Sequence, residues 1–106
     1  METPSTPSAP AIELVLYVSP GSLPCARAER VMRTILEQYD ARKVAFRICD
    51  LTVEPDAAAR DRIIFTPTLV KRSPPPHVWV LGDLAKPEVV TDLLHMCGVT
   101  PASATT

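Results

Sequence analysis

The sequence predicts one α/β domain with a mixed four-stranded sheet and the element order βαβαββα. Three observations predict it. AIELVLYV (11–18) is a short, mostly apolar run, as expected of a strand covered on both faces. A long segment of helical period separates it from the alternating run KVAFRICDL (43–51). That makes a βαβ unit, whose two strands run parallel. Two further strand-like runs, TLVKR (68–72) and HVWVL (77–81), are separated only by SPPP, and this close spacing predicts an antiparallel pair.

Each element has its own local reason. After the first strand, Ser19-Pro20-Gly21-Ser22 breaks the run, and Ser22 suits a helix N-cap with Pro24 tolerated in the first turn. Ala28, Val31, Met32, Ile35, Leu36 and Tyr39 then repeat at helical spacing. Arg27, Glu29, Arg30, Arg33 and Glu37 fall mainly between them, which predicts an amphipathic helix of about four turns. In the second strand Val44, Phe46 and Ile48 alternate with Ala45, Arg47 and Cys49. Pro55 opens a shorter helix, PDAAARDRII (55–64), which must end before Thr66-Pro67 because a residue preceding proline avoids the α region. Gly82-Asp83 predicts a turn. Pro87 opens a last helix with Val89, Val90, Leu93, Leu94 and Cys97 on one side, stopped by Gly98.

Composition narrows the function. The chain has 106 residues, 46% hydrophobic and 22% charged, an ordinary balance for one modest domain. A net charge of -1 gives no electrostatic reason to expect nucleic acid or an acidic membrane surface as partner. Apolar runs are too short to cross a bilayer, and METPSTPSAP (1–10) lacks the pattern of a signal peptide. Cys25, Cys49 and Cys97 are odd in number and without framework spacing, so a cytoplasmic protein with reduced thiols is expected. The Pro/Ser/Thr/Ala-rich ends, 1–10 and 99–106, are expected to be disordered around a folded unit at 11–98. His77 and His95 stand apart from each other and from any acidic or thiol cluster, so no metal site is expected. No phosphate loop, catalytic histidine pair or paired-carboxylate site is visible either, so the expectation is a protein without cofactor or catalytic apparatus. Trp79 is read as edge-strand or core packing, with an interface anchor as the other reading.

The arrangement resembles the thioredoxin-like superfamily. That resemblance implies a cis Thr66-Pro67 bond before the third strand, facing a Cys-x-x-Cys motif at the start of the first helix. Here the motif reads Ser22-Leu23-Pro24-Cys25. The resolving cysteine is present and the attacking one is serine, whose hydroxyl cannot replace a thiolate near neutral pH. Dithiol chemistry is therefore excluded, and a monothiol redox protein or sensor using Cys25 opposite Pro67 stands as the alternative function.

A more specific resemblance rests on LVLYV (14–18), Arg27-Ala28, ILE (35–37), Asp50, Asp61-Arg62-Ile63, TPTLVK (66–71), PPP (74–76) and LGDL (81–84). With these motifs the chain is similar to the KaiB family of bacterial clock proteins, without a gap from about residue 13 to 90. The resemblance implies a non-catalytic adaptor that binds a KaiC-like RecA-type ATPase and modulates its phosphorylation or signalling, with a histidine kinase as a further candidate partner. It implies partner-binding roles for Arg27, Arg30 and Arg62, and for Lys71 and Asp83 at the border of a region that changes pairing. It also implies a second fold, βαββααβ and oligomeric (dimer or tetramer), beside the thioredoxin-like monomer. Thr66, Pro67, Pro74, Pro75 and Pro76 belong to the rearranging half, where prolines keep ladder bonds few. The chain departs from the family at Val78 and Trp79, where basic residues are common, and in its missing acidic tail. Leu93 and His95 stand where clock-type members carry Gly and Asp. Leucine forms helices far better than glycine, which favours the thioredoxin-like form.

Overall fold

The computed structural model describes residues 10–81, 84 and 86–101. Its elements are β1 (Ile12–Val18), α1 (Leu23–Leu36), β2 (Val44–Asp50), α2 (Pro55–Arg60), β3 (Thr68–Ser73), β4 (Val78–Val80) and α3 (Pro87–Met96). The strands lie in the order β2-β1-β3-β4. β1 runs parallel to β2 and antiparallel to β3, and β3 runs antiparallel to β4. The observed βαβαββα order and mixed sheet are those the sequence predicts.

The central strand β1 is buried on both faces, which explains its nearly continuous apolar run. Ile12, Leu14, Leu16 and Val18 point into a core shared with Ala28, Met32 and Ile35 of α1 and Val90, Leu93 and Leu94 of α3. Val15 and Tyr17 point the other way, into a smaller cluster with Cys49, Val70 and Ala57 of α2. So α1 and α3 cover one face of the sheet and the six-residue α2 covers part of the other. α1 begins as expected: Ser22 is the N-cap, and its Oγ accepts a bond from the Cys25 backbone N–H at 3.3 Å.

Four details differ from the sequence reading. α1 ends at Leu36, and Tyr39, although buried, lies beyond it in a turn closed by Tyr39 N–H donating to the Leu36 carbonyl. β4 spans only Val78–Val80 because it pairs with no more of β3 than Leu69–Lys71. The packed unit extends past Gly98: Val99 is 2% exposed and belongs to the main core. Most sharply, α2 stops at Arg60 rather than running to Ile64. Arg62 there adopts the left-handed region (φ 57°), Ile63 N–H donates to the Ala58 carbonyl at 2.7 Å, and Arg62 N–H donates to the Ala59 carbonyl at 3.3 Å. This is the two-bond Schellman closure of a helix C-terminus, with arginine in the place usually held by glycine. The turn expected at Gly82-Asp83 lies outside the described residues.

Candidate functional site

The end of the sheet where β1 finishes brings together the Ser22–Cys25 turn and the Thr66-Pro67 loop. Ser19, just past β1, shares a 2.9 Å hydrogen bond between its Oγ and Thr66 Oγ1, and its backbone N–H points to Cys25 Sγ at 3.4 Å. These contacts join the loop before α1 to the loop before β3. The Thr66-Pro67 bond is cis, as are Ser73-Pro74 and Pro75-Pro76. Pro74, Pro75 and Pro76 are exposed in the connection between β3 and β4, outside both ladders.

Cys25 is 3% exposed and packs in the main core with Ala28 and Met32. Its N–H is held by Ser22 Oγ, so the position of an attacking thiol is occupied by a capping hydroxyl. Cys25, Cys49 and Cys97 are all free thiols. Burial raises the Cys49 thiol above its ordinary range, with Glu54 adding to the shift. Among the described residues no three metal-ligating side chains converge. An insulin-reduction assay is therefore expected to show no turnover above a thiol-free background, and activity abolished by Cys25→Ser would overturn that.

Behind this end lies a polar knot. The Tyr17 hydroxyl donates to the Asp61 carboxylate inside the α2-side cluster, where Tyr17 is fully buried and Asp61 is 6% exposed. Arg72 Nη1 stands 3.8 Å from the same carboxylate, and the Trp79 indole N–H donates to the Asp61 backbone carbonyl at 2.8 Å. Burial, and then the carboxylate beside it, push the Tyr17 phenol well above its usual range. Asp61 thus ties the loop after α2 to β1, β3 and β4. Nothing in the local sequence marks this role for Asp61, because the Tyr17 contact spans 44 positions.

The candidate docking residues are not one patch. Arg27 and Arg30 are exposed and one turn apart on α1. Arg62 is exposed beyond α2, over the opposite face of the sheet. Lys71 is 5% exposed on β3, lining a cavity of about 390 Å³ with Val78, Val80 and Leu93. Leu93 faces the core and His95 is exposed in the last turn of α3. Asp83 lies outside the described residues. What the sequence reading did not single out is an apolar surface beside Arg62. Ile64 (82% exposed), Phe65 (66%) and Leu81 (57%) surround the half-exposed Trp79. A signal existed in Ile63-Ile64-Phe65, three apolar residues directly before a Thr-Pro, which the sequence reading placed largely inside α2.

Known proteins of similar sequence and structure agree with one another. Residues 15–96 match the KaiB domain family. Over 85 residues the chain is 39% identical to the circadian clock oscillator protein KaiB of Gloeothece citriformis, covering 77% of this chain and 80% of that protein. It is 38% identical to the circadian clock oscillator protein KaiB1 of Synechocystis, covering 77% and 81%. Among solved structures it is similar to the N-terminal domain of SasA from Synechococcus elongatus, with TM-score 0.71 and 18% identity over 92% of this chain and 90% of that domain. A mutant thioredoxin from Halobacterium salinarum superposes with TM-score 0.70 and 24% identity over 82% and 74%. At these identities the two structures speak for the fold alone, which is thioredoxin-like. Sequence match and fold together show that the chain belongs to the KaiB domain family.

Proposed function

We propose that the protein is a non-catalytic adaptor that docks onto a KaiC-like RecA-type ATPase and modulates its phosphorylation state or signalling output. The observation that carries this reading is the match of residues 15–96 to the KaiB domain, at 39% identity to a named clock oscillator protein. A histidine kinase is the second candidate partner, as the family resemblance implies. Arg27 and Arg30 are the docking residues favoured here, because they are exposed and lie on one side of a capped, well-packed helix. Arg62 would reach the same partner only from across the end of the sheet, and Lys71 would act through the packing beneath α3. Leu93 biases the chain toward the thioredoxin-like monomer by keeping α3 helical.

Arg27→Glu combined with Arg30→Glu is expected to weaken binding to a purified KaiC-like ATPase by tenfold or more. Urea unfolding of the chain should move by no more than about 0.5 kcal/mol, as is usual for surface substitutions. Unchanged affinity at low salt would reject α1 as the docking surface.

A further inference from the structure

The short α2 leaves the β4 side of its sheet face uncovered, and a groove of about 260 Å³ opens there. Phe65, Trp79, Leu81 and Ile64 form apolar walls, and Arg62 is the charged residue lining it among the described residues. Two further features sit at the same place. β4 is the last strand of the sheet, so one side of its backbone has no strand neighbour among the described residues. Trp79, the middle residue of β4, is both a wall of the groove and part of that open edge.

We propose that the groove and the β4 edge together receive an extended segment of a protein partner. The segment would add as a strand, with an apolar side chain in the groove and a carboxylate against Arg62. Strand addition supplies backbone hydrogen bonds, and pockets beside the edge select alternate side chains. The groove is smaller than the roughly 300–1,000 Å³ of typical small-molecule sites, which suits a side chain rather than a free metabolite. Charge chooses between a foreign segment and a second copy of this chain. The Asp61 carboxylate is already engaged by Tyr17 and Arg72, so it does not answer Arg62. A two-fold contact through this patch would bring two Arg62 side chains to one surface with no acidic partner among the described groove residues, whereas an acidic segment complements them. This surface is separate from Arg27 and Arg30 on α1 and shares only Arg62 with the docking residues above, so a peptide test without the ATPase reads it independently.

Trp79 is the chain's one tryptophan and reports directly on the groove. The test is fluorescence titration of the purified chain with an array of ten-residue peptides in which valine, leucine or phenylalanine alternates with glutamate. A matched array carries lysine in place of glutamate. Members of the acidic array are expected to blue-shift Trp79 emission saturably, with affinities at least tenfold above their lysine counterparts. Arg62→Gly should weaken binding tenfold or more while leaving the turn intact, because glycine suits the positive φ found there. Phe65→Ser should abolish the shift, with urea unfolding confirming a folded chain. No shift with any acidic peptide at millimolar concentration, or equal binding of the lysine array, would overturn the proposal. So would an emission shift that follows protein concentration alone together with a dimer in sedimentation, which would assign the groove to a second copy.

Discussion

Asp61→Ala is expected to destabilise the protein by about 2–4 kcal/mol. A buried polar group stripped of its partner costs about 1–3 kcal/mol, and a charged neighbour left alone adds to that. Here the stripped group is the Tyr17 hydroxyl, fully buried between β1 and α2, and the neighbour is Arg72. Tyr17→Phe should cost less than Asp61→Ala, since the carboxylate keeps Arg72 as a partner. The two substitutions should be non-additive by about 1 kcal/mol or more in a double-mutant cycle, as residues of one network are. Because the phenol's pKa is raised in the folded protein, this contribution is complete below about pH 10, the ordinary phenol value, and is lost as pH rises through the higher folded value. Urea unfolding at several pH values measures all of this. An Asp61→Ala effect within 0.5 kcal/mol of zero would show that the knot is not a stabilising contact.

Leu93→Gly is expected to cost about 3–6 kcal/mol. Truncating a buried leucine to alanine costs about 2–5 kcal/mol, and glycine in a helix interior about 1 more. Leu93 is 7% exposed in the core between α3 and α1, so both effects apply. Domains of this size are stable by about 5–15 kcal/mol in total, so one substitution can remove a large share of the thioredoxin-like form. His95→Asp is the contrast. His95 is exposed near the helix C-terminus, where exchanging a basic group for an acidic one costs only about 0.3–1 kcal/mol. Backbone chemical shifts across residues 87–96 are the decisive measurement for Leu93→Gly. Full retention of helical shifts with unchanged urea stability would show that Leu93 does not decide the state of this segment.

Periodic signals account for what was legible. β1, α1, β2 and α3 follow from runs of apolar residues at strand or helix spacing, and Ser22, Pro55, Pro87 and Gly98 mark ends through capping and dihedral constraints that act within a turn. The family was legible for a related reason: TPTLVK, PPP and LGDL keep a fixed spacing that needs no three-dimensional knowledge to see.

The sequence by itself therefore determined the element order, the parallel first unit, the absence of an attacking thiol at Ser22 and the membership of the KaiB domain family. Only the tertiary structure decided where α2 stops, which side Arg62 occupies and what Asp61 does. Helical spacing through PDAAARDRII is equally compatible with a helix to Ile64. The chain leaves the helix at Asp61, whose carboxylate meets Tyr17 from β1 and whose carbonyl meets Trp79 from β4. Those contacts join residues far apart in the chain, and no local pattern records them. The same long-range closure holds the loop at 61–65 against β4, and so exposes Ile64, Phe65 and Trp79 as one apolar surface.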